Sequence, residues 1–178
     1  MDTILGWDTA LFRIVNKQLA WPVLDPLMLL LSSTSVWLVA LLLALPFLVH
    51  FKKKNWLKLL LWLGLNVAVA DLLAFRVFKP LIQRPRPCLQ LQDVRLVPEF
   101  CGGDYGFPSN HAANGVACAV ALSLYWRRIF WSVFLLVFLV SYSRLVLGVH
   151  YPLDLAAGFL LGASVALTLH KLRLKLSA

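Results

Sequence analysis

The chain has 178 residues, of which 61% are hydrophobic and 14% charged, and its formal net charge is +9. A soluble globule needs more polar surface than this, so the composition excludes a soluble domain and indicates an integral membrane protein. The basic excess is explained by membrane topology, because nucleic-acid binding would require a soluble basic surface. We therefore predict an all-α, polytopic membrane bundle forming one domain, residues 1–178, without a nucleic-acid partner.

The first 21 residues predict an amphipathic helix. Apolar residues recur there at helical spacing, at Ile4, Trp7, Leu11, Ile14 and Val15. Polar residues lie between them, which is typical of a helix at the membrane surface. The segment lacks the basic start and unbroken apolar core of a signal peptide. We therefore expect residues 1–21 to lie in the membrane interface.

Five apolar segments follow, each to be compared with the roughly 20 helical residues that cross a hydrocarbon core. They are Pro26–Phe51, Trp56–Phe78, His111–Trp126, Ile129–Val149 and Pro152–His170. The third and fifth segments are short, so their ends should lie at or just inside the interface. The sequence predicts five transmembrane helices, with an outer loop at residues 79–110 between the second and the third.

Basic residues in the loops orient these spans, since short cytoplasmic loops carry an excess of Lys and Arg. Nine of them, with no acid among them, fall on one side: Lys52, Lys53, Lys54, Lys58, Arg127, Arg128, Lys171, Arg173 and Lys175. We predict that this side is cytoplasmic. The other side carries the more reactive side chains, and in a bacterial inner membrane it would face the periplasm.

Polar residues on the outer side cluster where two spans begin. Ser109 and Asn110 suit an N-cap, and the backbone N–H groups of a helix start bind anions. His150 lies just before the turn that opens the last span. Asp154, four residues later, can reach back to the imidazole and fix its tautomer. An imidazole oriented in this way can act as a nucleophile or a base.

Three cations, Lys79, Arg86 and Arg144, are expected to converge on the same face. They would neutralise a phosphoryl group and its developing charge, which is most of what phosphoryl transfer requires. His111 would remain to protonate the leaving oxygen. Separately, these residues have structural explanations as a helix cap and as headgroup anchors. Their joint occurrence on one membrane face favours catalysis.

Three short motifs carry these residues. "KPLIQRPRP" holds a Lys, six residues and Arg-Pro; "PSNH" is similar to Pro-Ser-Gly-His; "SRLVLGVHYPLD" holds Ser-Arg, five residues, a His, three residues and an Asp. In this order and spacing they resemble the signature of the type-2 phosphatidic acid phosphatase superfamily. The resemblance implies a phosphatase that uses no metal or other cofactor. His150 would attack phosphorus, Asp154 would orient it, and His111 would protonate the leaving group and later activate water.

The resemblance also implies which groups bind the phosphoryl oxygens: Lys79, Arg86, Ser109 and Arg144, with help from the backbone of Asn110. The chain departs from the family at Asn110, where Gly is frequent, although Asn tolerates turn conformations. Arg84 belongs to a second Arg-Pro pair. The spacing from Lys79 favours Arg86 over it.

Asp71 lies inside the second predicted span, at least two turns from Lys79. An ionisable residue in a span is a functional candidate, but a structural pairing with Arg76 or with another helix is favoured here. Gly158 and Gly162 stand at helical spacing. They predict close helix packing within the bundle rather than dimerisation.

Two cysteines, Cys88 and Cys101, lie in the outer loop. In an oxidising space, a bridge between them would tie down the loop. Spacing alone does not establish the required geometry, so free thiols stay open as the alternative. A zinc site is not expected, because further His or Cys ligands are lacking on this side.

An active site at headgroup depth would take a lipid phosphate whose tails remain in the bilayer. Family substrates compatible with it are undecaprenyl diphosphate, lipid A 1-phosphate, phosphatidylglycerol phosphate and phosphatidic acid. Two alternatives stay open. One is a phosphotransferase that passes the phosphate to a second lipid, and the other is a non-catalytic transporter or anion-binding protein. The sequence does not rank the lipids or give the oligomeric state.

Overall fold

A computed structural model describes residues 2–52 and 55–176, which leaves Lys53 and Lys54 of the predicted cytoplasmic group outside the described residues. Its α-helices are α1 (Asp2–Arg13), α2 (Asp25–Ser32), α3 (Thr34–Lys52), α4 (Trp56–Leu72), α5 (Lys79–Ile82), α6 (Pro87–Gln90), α7 (Asn110–Ser123), α8 (Phe130–Val146) and α9 (Pro152–Leu176). The two π-helical segments are Ile14–Gln18 and Leu73–Phe78, and the two 3-10 turns are Pro22–Leu24 and Arg127–Ile129. The described chain is helical, which confirms the predicted fold class.

Three helices of the described residues are long and apolar enough to cross a membrane. They cover Trp56–Ile82, Arg127–Val146 and Pro152–Leu176, with 27, 20 and 25 residues. A fourth span is reached if Pro22–Ser32 and Thr34–Ala40, which meet at 62°, are taken as one bent span. The described helices therefore give three or four candidate spans, and the predicted count of five is not reached.

The first predicted span, Pro26–Phe51, is broken. Ser33 has an extended backbone, with φ −79° and ψ 118°, and separates α2 from α3. Hydroxyl side chains compete with the backbone for helical hydrogen bonds, and the break falls within a run of Ser and Thr residues, 32–35. Counting apolar residues could not reveal this break, because it is polar groups and not charges that interrupt the segment.

The third predicted span, His111–Trp126, is shorter in the structure. α7 has 14 residues and is about 21 Å long at 1.5 Å per residue. Its chain turns after Ser123, and Trp126 is no longer helical. The helix is enclosed by α4, α8 and α9, and it buries small side chains: Ala112, Ala113, Ala117, Ala119 and Ala121. α7 is the central helix of the bundle.

α7 and α9 pack backbone against backbone. A Cβ atom added to Gly158 would lie 2.7 Å from the Ser109 carbonyl oxygen, and one added to Gly162 would lie 2.3 Å from the Ala113 oxygen. Such distances leave no room for a side chain, so the predicted close packing at these glycines is confirmed. The two helices also begin together, since the Ser109 N–H donates to the Asp154 carbonyl at 2.9 Å.

The N-terminal segment, α1 with the π-helical residues Ile14–Gln18 that follow it, places polar residues differently from the prediction. Ile4 and Trp7 are exposed at 63% and 74%, as an interfacial helix requires, whereas Asp8 and Asn16 are buried. The Asn16 amide donates to the Val146 carbonyl at 2.9 Å, and the Phe12 ring packs edge to face on the Tyr151 ring. The amphipathic pattern thus combines an apolar exposed face with a face that docks on the protein. Its placement at the membrane interface stays a prediction.

Candidate active site

His150 and Asp154 form a buried pair at the start of α9, with relative exposures of 2% and 0%. His150 Nδ1 lies 3.3 Å from Asp154 Oδ2. The same carboxylate oxygen accepts the Tyr151 backbone N–H at 2.9 Å, which fixes its orientation. With Nδ1–H donating to the carboxylate, the lone pair of the imidazole is on Nε2.

Arg86 faces that lone pair. Its Nη1 lies 3.1 Å from His150 Nε2 and donates to the Val149 carbonyl at 3.1 Å. Burial is the main cause that lowers the pKa of His150 well below its ordinary value, and the charge of Arg86 acts in the same direction. The imidazole is therefore neutral near neutral pH and can use Nε2 as a nucleophile.

Ser109 is the N-cap residue of α7, but its side chain makes no capping hydrogen bond. Three buried polar groups of the predicted phosphate-binding residues have no hydrogen-bond partner in the described parts of the chain: the Ser109 hydroxyl, Arg86 Nε and Arg144 Nε. Buried donors are normally paired. An oxyanion bound beside His150 would supply the acceptor that each of them lacks.

His111 and Arg144 meet at the break between α2 and α3. His111 Nε2 lies 3.0 Å from the Ser32 carbonyl oxygen, and Arg144 Nη1 donates to the Ser32 hydroxyl. A cavity of about 270 Å³ lies beside them, between the helix break and the outer loop, and Arg144 and Ser32 are among its lining residues. Arg144 therefore stands at the wall of the cavity, and His111 contacts the same residue, Ser32, from its carbonyl side.

Lys79 lies at the end of the π-helical segment and is buried to 8% exposure, with Nζ 5.9 Å from the centre of the Phe75 ring. Asn110 turns its side chain away to donate to Asp71 Oδ1 at 2.7 Å. Asn114, one turn further along α7, donates to the same oxygen at 2.8 Å. Asp71 thus pairs with another helix, one of the two partners predicted for it.

Cys88 and Cys101 are joined by a disulfide bond, which confirms the predicted bridge. Cys101 also lines the cavity beside Arg144. The bond therefore holds one wall of the cavity to α6, where Cys88 is located.

The sequence interpretation missed two residues at the site, Arg84 and Asp8. Arg84 Nη1 donates to Asp154 Oδ1 at 2.8 Å, and its other amino group pairs with Asp8. The presence of a second Arg-Pro pair was a usable signal for Arg84, but the motif spacing directed attention to Arg86. No pattern in the sequence indicated Asp8, because its helix has the pattern of a surface helix and Asp8 precedes Asp154 by 146 residues.

The chain is similar to known proteins in sequence and in fold. The family model described as PAP2 superfamily matches residues 55–177. A lipid A 4′-phosphatase of Porphyromonas gingivalis is 33% identical over 98% of this chain and 76% of its own length. An undecaprenyl-diphosphatase of Sulfolobus acidocaldarius is 33% identical over 91% of this chain and 76% of its own. The crystal structure of Aquifex aeolicus LpxE is 30% identical, with a TM-score of 0.70 over 92% of this chain and 94% of that one.

Proposed function

Since the chain belongs to the PAP2 superfamily, we propose that it is an integral-membrane lipid phosphatase that works through a phosphohistidine without a metal ion. The proposal rests on two buried contacts, that of Asp154 with His150 and that of His150 with Arg86. They leave the Nε2 atom of a neutral imidazole available for attack, in a site that holds buried donors without a partner among the described residues; these donors could bind an oxyanion. One membrane-embedded domain, residues 1–178, would hold the whole site.

In the first step, His150 Nε2 attacks phosphorus while the bond from phosphorus to the lipid oxygen breaks. His111, which enters this step as the imidazolium because the charge of the bound phosphate raises its pKa, gives its proton to that oxygen, and the lipid alcohol or lipid phosphate leaves. Asp154 stabilises the positive charge that develops on the imidazole, as a carboxylate does in other His-dependent sites. In the second step, water attacks phosphorus, His111 accepts a water proton, and orthophosphate is released from Nε2.

The phosphoryl oxygens would be bound by Lys79, Arg86, Ser109 and Arg144, together with the backbone N–H of Asn110. Arg86 occupies Nε2 in the structure at 3.1 Å, so its N–H must move to a phosphoryl oxygen before attack. Donors placed where charge develops are the largest single source of stabilisation in such reactions.

The substrate would be a phosphomonoester or diphosphate of a lipid. The names of the relatives support lipid A phosphate and undecaprenyl diphosphate as first candidates, ahead of phosphatidylglycerol phosphate and phosphatidic acid. The cavity beside Arg144 would receive the part of the lipid next to the scissile bond. The tails would remain in the bilayer.

We assign the site to the outer, periplasmic face of a bacterial inner membrane. Lys58, Tyr125 and Arg173 line a groove at the end of the bundle opposite to the site. Two of these three residues belong to the basic group that the positive-inside rule places in the cytoplasm. This charge distribution supports an outward-facing active site.

The test is phosphate release by purified wild type and His150→Ala, in the presence of chelator, over the four candidate lipid phosphates. His170→Ala is the matched control, since His170 lies near the other end of α9. We expect wild type and the control to be equally active, and His150→Ala to lose activity by about 1,000-fold or more. Labelled substrate quenched during turnover should leave acid-labile phosphate on wild type and on the control, but not on His150→Ala. Equal activity of His150→Ala and wild type would refute the mechanism.

A further inference from the structure

A buried ion network extends from the site to the N-terminal helix. Arg84 lies between two carboxylates, those of Asp154 and Asp8. The side chain of Arg84 is 14% exposed, that of Asp8 1% and that of Asp154 0%. Asp8 Oδ1 also accepts the Leu153 backbone N–H at 2.8 Å, so α1 contacts the first turn of α9 directly.

The network determines how much of the negative charge of Asp154 is available to the imidazole of His150. Asp154 uses Oδ2 for His150 and Oδ1 for Arg84, so the imidazole and the guanidinium compete for one negative charge. Asp8 supplies a second carboxylate to the same guanidinium. It therefore offsets the positive charge that would otherwise draw the carboxylate away from the imidazole. In a buried site these charges act strongly on one another.

Packing fixes the position of Arg84 as well. Its guanidinium carbon lies 4.2 Å from the centre of the Tyr151 ring, and that ring packs edge to face with Phe12 of α1 at 5.4 Å. A stacked guanidinium has few alternative orientations. Arg84 therefore gives the charge of Asp8 a well-defined route to Asp154.

We infer that Asp8 is a positioning residue for the reaction, acting through Arg84 on Asp154. This inference rests on the proposed phosphatase function. It makes α1 part of the catalytic apparatus rather than a membrane attachment alone. Asp8 does not touch the substrate; it sets the alignment and charge of the carboxylate that supports His150.

The test is a double-mutant cycle on lipid phosphate hydrolysis, with Asp8→Asn, Arg84→Gln and both together. We expect Asp8→Asn to lower kcat by about tenfold with KM within about twofold, because the interaction matters in the transition state and not in substrate binding. The double variant should be no slower than Arg84→Gln by more than about twofold, since the amide oxygen of Asp8→Asn can still accept the Leu153 N–H and the lost charge acts through Arg84.

The matched control is Asp93→Asn. Asp93 also ties α1 to the body of the protein, through Arg13 and Lys17, but its side chain is 46% exposed. If Asp8 merely docks the helix, Asp93→Asn should slow the enzyme similarly. We expect it to keep wild-type kcat. Thermal unfolding of each variant shows whether the helix remains folded on the bundle.

Two results would overturn the inference: wild-type kcat in Asp8→Asn, or a double variant whose loss equals the product of the single losses. If Asp8→Asn does not fold, Asp8→Glu replaces it in the same cycle, and the same two results would overturn the inference. This substitution keeps the negative charge but moves it by one methylene. A wild type that hydrolyses no lipid phosphate would instead refute the proposed function, so the two failures are separate.

Discussion

The contact between α7 and α9 leads to a quantitative prediction for Gly162→Ala. The new Cβ would lie 2.3 Å from the Ala113 carbonyl oxygen and 2.9 Å from the Ala117 nitrogen. Both are backbone atoms and cannot rotate away. Ordinary contact requires the helices to separate by about 1 Å. Because α7 carries Ser109 and α9 carries Asp154, this separation widens the site itself.

Two effects of the substitution oppose each other in stability. Overpacking costs roughly 1–3 kcal/mol, whereas replacing a helical Gly by Ala gains about 1 kcal/mol. The net loss of stability is therefore small. A displacement of about 1 Å at reacting groups can lower the rate by about 100-fold. We expect Gly162→Ala to lose 10- to about 100-fold in kcat while the protein stays folded.

Phosphate release and thermal unfolding, measured on the same preparations, provide the assay. Gly64→Ala is the matched control, since nothing lies within 4 Å of its Cβ. Gly115→Ala is a second one, because the three atoms nearest to its Cβ, from 2.9 Å, belong to the Val137 side chain and not to the backbone. We expect both controls to keep wild-type kcat. A Gly162→Ala enzyme as active as Gly64→Ala would refute the link between helix packing and the site.

Three further predictions concern protonation, the outer loop and Asp71. Burial and neighbouring cations lower the pKa of His150, so in an NMR titration of the substrate-free protein its imidazole should stay neutral as pH falls through 6.5; protonation at that pH would contradict the pKa assignment. Replacing Cys88 and Cys101 by Ser should lower the unfolding free energy by about 3 kcal/mol, and a reductant should destabilise wild type but not the double variant. Asn110→Gly removes one of two hydrogen bonds to Asp71 and should lower unfolding free energy by about 1 kcal/mol, whereas Asp71→Ala, which orphans both amides, should lower it more.

Local patterns in the sequence were sufficient for the main parts of the site. The pairing of His150 with Asp154 follows from a four-residue spacing on one helix, and the structure shows it at 3.3 Å. The placement of Ser109 beside Asp154 required only that two predicted helices begin on the same side. Small residues at Gly158 and Gly162 predicted close packing within the bundle, and the structure shows that the partner is α7. Each of these predictions depends on residues close in sequence or on one periodic pattern.

The missed features depend on long-range or polar effects that apolar counting does not register. Asp8 reaches the site only because α1 folds back onto α9, and no spacing in the sequence encodes that contact. The break at Ser33 comes from hydroxyl groups in an otherwise apolar segment. Counting apolar residues also could not predict the end of α7 at Ser123, because the residues that follow the helix are still apolar.

The convergence of cations at one end of the bundle bears on how the products leave. If lipid and orthophosphate are the two products, one is soluble only in the bilayer and the other only in water. In the proposed mechanism they would depart in different directions, the lipid sideways into the bilayer and the anion past Arg86 and Arg144 into water. Dilution into bulk water makes the loss of the anion effectively one-way, so hydrolysis would proceed even where the lipid product accumulates. The same cations would make free orthophosphate a competitor of the substrate, and the phosphate content of the surroundings would then set the turnover of the enzyme.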